Sequence, residues 1–244
     1  PRRSWRSRCA TPYLGNDPPQ LEGSGMFADR RAAGRALSPR LEHLRAERPV
    51  VLALPRGGVP VGYEIALSLD APLDIVLVRK IGVPGEPELA LGAIADGAAP
   101  QVLIDDRLVA VLGVDPAYIA AETKAQLAEI ERRRILYRGG RRPAPLAGRT
   151  VIVVDDGIAT GSTTRAALRA ARAAGAGRIV LAVPVAPQDT LDALRAEADE
   201  VVCLATPSPF FAVGAHYQVF TQLADADVGV LLEARERASS RSAG

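Results

Sequence analysis

Short apolar runs recur along the chain and alternate with stretches of helical periodicity. Five of these runs are rich in β-branched and aliphatic residues and are bounded by proline, glycine or charged residues. Unbroken apolar runs of about four to eight residues are typical of strands that are buried on both faces. The predicted strands cover residues 49–54, 73–78, 150–154, 178–185 and 200–205.

Helical spacing of apolar residues occurs around and between these runs. Asp115 and Pro116 form an N-cap and first-turn pair for the longest predicted helix, and Gly139 ends it. Strands that alternate with helices predict an α/β fold, with a mostly parallel twisted sheet and helices on both of its faces. The predicted helices cover residues 27–47, 59–69, 116–138, 163–175, 187–198 and the chain from about 224.

The region between the second and third predicted strands lacks this regular alternation. Residues 81–88 contain two glycines and two prolines, and this composition predicts a mobile loop. Residues 89–104 suggest a hairpin or two short strands. Arg79 and Lys80 are then expected at the end of the second strand, just before the loop.

Composition narrows the class of protein. The chain has 244 residues, of which 48% are hydrophobic, and its net charge is +2. This content suffices for one buried core, and the balanced charge does not indicate a nucleic-acid partner. Two cysteines and two histidines are too few for a disulfide framework or a histidine-rich metal site. Because no apolar stretch reaches the ~20 residues that span a bilayer, we expect a cytoplasmic protein without a membrane partner.

The first 25 residues differ in composition from the rest of the chain. They are rich in arginine, proline, glycine and serine, and they lack the apolar core of a secretion signal. We therefore expect a disordered extension over residues 1–25, followed by one domain over residues 26–244.

Candidate chemistry lies in the turns that follow the predicted strands. The turn PRGG, residues 55–58, follows the first strand, and DDGIATGSTT, residues 155–164, follows the third. Ligands of open parallel sheets bind beyond the carboxyl ends of the strands. We therefore expect both turns, together with Arg79 and Lys80, to meet at one edge of the sheet.

The second of these turns predicts a phosphate site. Its glycines expose backbone N–H groups, Thr160, Ser162 and Thr163 add hydroxyls, and a helix begins at once. The first N–H groups of a helix are unpaired, and its dipole places about half a positive charge there, which suits a phosphate dianion. A plain N-cap is the alternative interpretation.

Two acids directly before a phosphate site would repel the phosphate unless another group lay between them. A ribose fits that gap, because Asp155 and Asp156 can accept hydrogen bonds from vicinal hydroxyls and favour positive charge on the sugar. The glycines of PRGG allow close approach to a second anion, and Arg56 adds a charge, although PRGG alone also fits an ordinary turn. Arg79 and Lys80 are candidates to neutralise a leaving group; alone, they would be solvated strand-end charges.

Taken together, these segments resemble the type I phosphoribosyltransferase family. VIVVDDGIATGSTT resembles its signature for phosphoribosyl pyrophosphate (PRPP), LALPRGG its pyrophosphate loop, and DIVLVRKIGVPGEPELALGAI the strand and flexible loop that close over the site. The likeness covers most of residues 26–232 and is closest to bacterial members described only as phosphoribosyltransferases. It implies a parallel sheet flanked by helices, with a small hood, here from the C-terminal segment.

The resemblance implies Mg²⁺-dependent transfer of ribose 5-phosphate from PRPP to a nitrogenous base, with release of pyrophosphate. Asp155 and Asp156 would bind the ribose hydroxyls, Arg79 and Lys80 would contact pyrophosphate, and Mg²⁺ would be held through PRPP and waters. A non-proline cis peptide near PRGG is also implied. The other implied contacts are a 5′-phosphate loop of Gly157, Ile158, Ala159, Thr160, Gly161, Ser162 and Thr163, and a pyrophosphate turn of Arg56, Gly57 and Gly58.

The segment PFFAVGAHYQVF, residues 209–220, resembles the hood of purine-type members, where an aromatic ring stacks on the base. Its spacing matches Phe211 and Val213 to the base site, and simple packing of its aromatic rings is the alternative. Purine-type members often carry an acid shortly afterwards, whereas His216 and its neighbours stand here. A purine-like acceptor is favoured, and pyrimidines and other amines stay open.

Other functions and assemblies remain open at this stage. A PRPP- or nucleotide-binding regulator without catalysis would share the fold, but it would not need Arg79, Lys80 and a mobile loop. An enzyme with an aspartyl nucleophile would place its acid after an early strand, whereas this pair follows a late one. The domain can also be fused to a hydrolase, although this chain shows no G-x-S-x-G motif. A homodimer is possible, since dimers are common in the family.

Overall fold

The computed structural model describes residues 26–96 and 100–242, so the extension predicted over residues 1–25 lies outside the described residues. Eight strands occur in the described part of the chain. They are β1 (Val50–Ala53), β2 (Leu73–Ile75), β3 (Val78–Val83), β4 (Glu86–Ala95), β5 (Gln101–Ile104), β6 (Thr150–Val154), β7 (Arg178–Val185) and β8 (Glu200–Ala205).

Seven α-helices accompany these strands within the same described ranges. They are α1 (Arg30–Leu37), α2 (Gly58–Leu69), α3 (Asp106–Leu112), α4 (Pro116–Arg138), α5 (Ser162–Ala173), α6 (Gln188–Leu194) and α7 (Asp225–Ser242). The single helix predicted over residues 27–47 is wrong in part. It is α1 followed by a 3-10 helix, Ser38–Glu47. Pro39 lacks the N–H that would continue the α-helical hydrogen bonds of α1.

The central sheet has five parallel strands in the order β2-β1-β6-β7-β8. Leu52 lies opposite Val153, and Ala53 lies opposite Val154. Strands β1 and β6 therefore end level with each other, and the turns that follow them start side by side. This register brings the two candidate turns together at the carboxyl edge, as the sequence predicts.

Each face of the sheet is covered by helices, which confirms the predicted α/β class. Val51, Ile152 and Val180 pack against α1 and α2 on one face. Leu52, Val153 and Leu181 pack against α5 and α6 on the other. The alternation follows from the two-residue period of a strand, which points successive side chains to opposite faces.

The region between β2 and α3 differs from the prediction. The second predicted strand is broken: β2 ends at Ile75, and Arg79 and Lys80 lie inside β3 rather than at a strand end. The predicted mobile loop is instead the tip of a β3–β4 hairpin, in which Gly85 adopts a φ of 81°. Strand β5 completes this antiparallel sheet in the order β3-β4-β5, so the predicted hairpin over residues 89–104 is confirmed.

A third apolar cluster joins the antiparallel sheet to α4 and α7. Ile81 and Leu91 from the hairpin pack with Ile130 of α4 and Leu232 of α7. The hairpin therefore has its own buried contacts beside the parallel sheet. Over the ranges that the structure describes, no helix has both the length and the apolar character to cross a bilayer.

Candidate functional site

The turns after β1 and β6 are packed directly on each other. A β-carbon on Gly58 would lie 2.6 Å from the carbonyl oxygen of Val154 and 2.9 Å from Cα of Asp155. One on Gly57 would lie 2.0 Å from Oδ2 of Asp156. Because real β-carbons do not approach other atoms so closely, a side chain at residue 58 would overlap backbone atoms, and one at residue 57 would displace the Asp156 carboxylate. The PRGG turn is thus shaped by contact with the acidic pair.

The peptide bond between Pro55 and Arg56 is cis, in agreement with the resemblance. The chain then turns into α2, where the N–H of Gly58 donates to the carbonyl of Leu54 over 3.0 Å. The Arg56 side chain points toward α7, and its Nη1 lies 3.3 Å from Oδ1 of Asp225. The hydroxyl of Tyr137 donates to the same oxygen over 2.5 Å.

The two acids have different surroundings. Oδ1 of Asp155 accepts a hydrogen bond of 2.9 Å from the backbone N–H of Asp156. Burial and the neighbouring charge of Asp156 raise the pKa of Asp155 well above its usual range. Burial also raises the pKa of Asp156, against an opposing hydrogen bond and charge from Arg30. The pair is therefore a costly concentration of negative charge, which a ligand rich in hydroxyls or positive charge would relieve.

Arg30 forms an ion pair with Asp156 that sequence reasoning missed. Its Nε lies 2.6 Å from Oδ2 of Asp156, and the two side chains are 11% and 13% exposed. Tyr217 contacts the same loop, and its hydroxyl donates to the backbone carbonyl of Asp156. The residues lie 126 and 61 positions from Asp156 in the sequence, so no local spacing signals either contact.

The predicted phosphate loop has two parts. Gly157 and Ile158 face inward: a β-carbon on Gly157 would lie 2.5 Å from Cγ1 of Val213, and Ile158 is buried in the core. The N–H of Ile158 donates to the carbonyl of Val185 over 3.0 Å. The N–H of Ile158 thus already has a partner and its side chain lies in the core, and its contact with a phosphate stays a prediction.

The second part of the loop leads into α5. Gly161 has a φ of 77° and precedes the helix, which begins at Ser162 without a side-chain cap. The first intrahelical hydrogen bond is donated by Arg165, so the N–H groups before it are available to an anion. Ala159, Thr160 and Ser162 are exposed, Thr163 is half-buried and Thr164 is buried.

A cleft of about 620 Å³ opens beside this helix end, between α5 and the antiparallel sheet. Thr160, Ser162, Arg107 and Arg165 are among its lining residues. The Nε atom of Arg165 is buried and has no hydrogen-bond partner among the residues that the structure describes. An unpaired guanidinium group next to two hydroxyls and a helix N-terminus suits an anionic ligand.

Arg79 and Lys80 are not brought to the acidic pair. Nε of Arg79 donates to Oε1 of Gln126 on α4 over 2.8 Å. Lys80 is exposed and lies opposite Ala93 in the hairpin. Among these described residues, no hydrogen bond or ion pair joins either cation to Asp155 or Asp156.

The predicted hood is built from two segments rather than from the C-terminal one alone. The N–H of Phe27 donates to the carbonyl of His216 over 2.9 Å, and the N–H of Gln218 donates back to Phe27 over 2.8 Å. Val213 is half-buried and packs with Phe27 and Tyr217. Phe211 is 84% exposed, so its ring is accessible to a planar ligand. The Phe210 ring lies 5.2 Å from that of His216.

These features define a family. The sequence profile of the Phosphoribosyl transferase domain matches residues 27–219, which include the acidic pair, both turns and most of the hood. The chain belongs to the phosphoribosyl transferase domain family.

Relatives support the same assignment. Two proteins of Mycobacterium tuberculosis, from strains CDC 1551 and H37Rv, are each 51% identical over 212 residues and carry the name "Putative phosphoribosyl transferase". The match covers 87% of this chain but 47% of theirs, so the chain spans about half the length of these curated relatives. A crystal structure of TT1426 from Thermus thermophilus is similar with a TM-score of 0.73 and 44% identity, covering 84% of this chain and 97% of that one.

Proposed function

We propose that this chain binds PRPP at the carboxyl edge of the parallel sheet and transfers its ribose 5-phosphate to a nitrogenous base, releasing pyrophosphate. The observation that carries the proposal is the contact of Gly57 and Gly58 with Asp155 and Asp156. It joins an anion-binding turn to a hydroxyl-binding pair within a few ångströms, and PRPP presents phosphate groups on both sides of a diol.

The 5′-phosphate is assigned to the loop before α5. Backbone N–H groups at the start of the helix, the hydroxyls of Thr160 and Ser162, and the unpaired guanidinium of Arg165 all favour a dianion there. For Gly157 and Gly161, which are predicted to contact the 5′-phosphate, we propose that the role is to shape the loop. Gly157 makes room for Val213, and Gly161 supplies the positive φ that starts the helix.

The ribose is assigned to Asp155 and Asp156. Cleavage of the bond between C1′ and pyrophosphate leaves positive charge on the sugar, as in an oxocarbenium ion. Burial and mutual repulsion oppose ionisation of the two acids, so positive charge on a sugar beside them would favour their ionised forms and be stabilised by them in return. Each preorganised contact of this kind lowers the activation barrier by roughly 3–4 kcal/mol.

Pyrophosphate is assigned to the PRGG turn. Gly57 and Gly58 leave no side chain between the backbone and a ligand, and Arg56 lies nearby with 32% of its side chain exposed. Arg79 and Lys80 join the leaving group when the hairpin moves over the site. Closure would also exclude water and limit hydrolysis of PRPP.

Mg²⁺ fits this site as a companion of PRPP. The described residues contain no group of three or more histidine, cysteine or acidic side chains that could hold a metal. We propose that Mg²⁺ would be held through PRPP oxygens and waters, since it commonly keeps several waters and binds substrate phosphates. Bound in this way, it would neutralise charge on the pyrophosphate.

The acceptor is assigned to the hood, beside Phe211 and Val213. An exposed aromatic ring two residues from the half-buried Val213 suits a planar base, and we propose a purine-like acceptor in a cytoplasmic salvage reaction. A non-catalytic PRPP-binding regulator is the second candidate. The contact that favours it is the hydrogen bond between Arg79 and Gln126, which holds a required cation away from the acids.

The test is an incubation with PRPP, Mg²⁺ and a panel of purines, pyrimidines and simple amines, with pyrophosphate release as the readout. We expect release that depends on one acceptor or one narrow class. PRPP binding without release across the whole panel would favour the regulator. Failure to bind PRPP at all would contradict both functions.

A further inference from the structure

Arg30 occupies an unusual position for an arginine at the start of a helix. Its Nε donates to Asp156 over 2.6 Å, and its Nη1 donates to the carbonyl of Thr221 over 2.9 Å. Its Cζ lies 3.8 Å from the centre of the Phe220 ring. Three different contacts therefore hold one guanidinium group, which is more than an ordinary surface ion pair requires.

Hydrogen bonds of the surrounding backbone fix the position of Arg30 at the start of α1. Asp29 caps α1 by accepting a hydrogen bond of 2.7 Å from the N–H of Ala32. The N–H of Val219 donates to the carbonyl of Ala28 over 2.9 Å, which ties this segment to the C-terminal half of the hood. The part of the hood that places the guanidinium beside the acidic pair is therefore held by hydrogen bonds on both sides of Asp29.

The ion pair between Arg30 and Asp156 changes the balance of charge around Asp156. The titratable and charged groups that face it are Arg30, Asp155 and Tyr217. Asp155 is a like charge, the Tyr217 hydroxyl is neutral at ordinary pH, and burial disfavours ionisation of both acids. Arg30 is the cation among these groups, and it offsets the charge of Asp156.

We propose that Arg30 is a positioning residue, which holds the Asp156 carboxylate ionised and in a fixed orientation for the ribose. The inference rests on the proposed function, because it assumes that the acidic pair binds a pentose. It assigns unequal roles to the two acids. Asp156 is oriented by the hood, whereas Asp155 is oriented by its own loop.

The neighbouring residue provides a matched control. Nε of Arg31 lies 2.5 Å from Oε1 of Glu64, and its Cζ lies 5.1 Å from the centre of the Tyr63 ring. Arg31 therefore combines the same kinds of contact as Arg30 but away from the acidic pair, with 51% of its side chain exposed. Loss of Arg31 should affect stability without affecting the pentose.

The experiment compares Arg30→Gln, Arg30→Lys and Arg31→Gln with the unmodified chain. For Arg30→Gln we expect kcat to fall about tenfold or more, because the variant loses one charge-assisted hydrogen bond. The KM for PRPP should change less. The acid limb of the kcat/KM profile should move to higher pH, because Asp156 must then lose its proton without a cation. Arg30→Lys should restore the limb, and Arg31→Gln should match the unmodified chain.

A second measurement needs no substrate. The ¹³C carboxyl resonance of Asp156, assigned by its loss in Asp156→Asn, is titrated in the unmodified chain and in Arg30→Gln. We expect a higher pKa for Asp156 in the variant. If the unmodified chain neither binds PRPP nor releases pyrophosphate, the proposed function fails, and this titration still decides whether Arg30 keeps Asp156 ionised.

Three results would overturn the inference. Tighter PRPP binding in Arg30→Gln would mean that Arg30 competes with the pentose for Asp156. An unchanged pKa of Asp156 would remove the electrostatic role. Equal losses of activity in Arg30→Gln and Arg31→Gln, in step with their thermal stability, would reduce Arg30 to a structural contact.

Discussion

Gly57 and Asp156 are packed so closely that a single methyl group on residue 57 would overlap the carboxylate. The added β-carbon would lie 2.0 Å from Oδ2 and 2.4 Å from Cγ of Asp156. The two residues come from different turns, so their contact depends on the level register of β1 and β6. The geometry of the candidate site is therefore set by the parallel sheet itself.

Gly57→Ala should displace Asp156 and weaken PRPP binding by about tenfold or more, since more than 1.4 kcal/mol of contact energy depends on its position. Calorimetric titration with PRPP and Mg²⁺ measures the effect. Gly229→Ala is the control, because its β-carbon on α7 would meet no atom closer than 4.0 Å. That variant should bind normally and be more stable by about 0.5–1 kcal/mol, as expected for alanine within a helix.

Arg165→Gln tests the phosphate assignment. The unpaired guanidinium lines the cleft with Thr160 and Ser162, so its loss should weaken PRPP binding about tenfold and make binding less sensitive to salt. The control is Arg172→Gln, two turns further along α5, which removes a contact with Asp199 instead. Equal binding by Arg165→Gln and the unmodified chain would place the phosphate elsewhere.

Arg138 is expected to determine stability rather than activity. It is buried between Asp74 at 3.1 Å and Asp96 at 3.2 Å, and it donates to the carbonyl of Ile75 over 3.0 Å. Arg138→Met should lower the free energy of unfolding by about 3–5 kcal/mol, because it removes the buried cation that lies between two buried carboxylates. Urea denaturation measures this loss.

The control for Arg138→Met is Arg132→Met, on the same helix. Arg132 pairs with Glu129 on the surface and is 57% exposed. Its replacement should leave the denaturation midpoint almost unchanged. Similar losses in the two variants would show that the buried cluster has no special weight.

Asp225 links α7 to the PRGG turn and should make stability depend on pH. The hydrogen bond that Asp225 accepts from Tyr137 lowers its pKa below the ordinary range, and the hydrogen bond from Arg56 lowers this pKa to a smaller extent. A lowered pKa in the folded state gives stability that is present above the ordinary aspartate pKa and is lost as pH falls through the lowered value. Asp225→Asn should therefore have a lower midpoint at neutral pH, and the difference should shrink on acidification. A difference that stays constant down to the most acidic conditions would contradict this role.

The parallel strands and the acidic turn could be read from the sequence because each depends on local pattern. β6 is an unbroken apolar run that is buried along its whole length, and Asp155 follows it directly. Helix α4 begins after Asp115 and ends before Gly139, as its capping residues predict. Such signals need no knowledge of distant contacts.

The hairpin and the hood could not be read in the same way. Glycine and proline in residues 81–88 predict a loop, yet Ile81 is buried against α4 and α7, and this packing supports β3 and β4. The contact between Arg30 and Asp156 joins residues 126 positions apart, and nothing in the local sequence distinguishes Arg30 from Arg31. Tertiary packing decides both cases.

The most direct test of the account is a calorimetric titration of the unmodified chain with PRPP in the presence of Mg²⁺. We expect saturable binding at one site, weakened in Gly57→Ala and Arg165→Gln and retained in Gly229→Ala and Arg172→Gln. Absence of heat at millimolar PRPP, or binding that none of these substitutions changes, would contradict the claim that the acidic pair and its two turns bind a phosphorylated pentose.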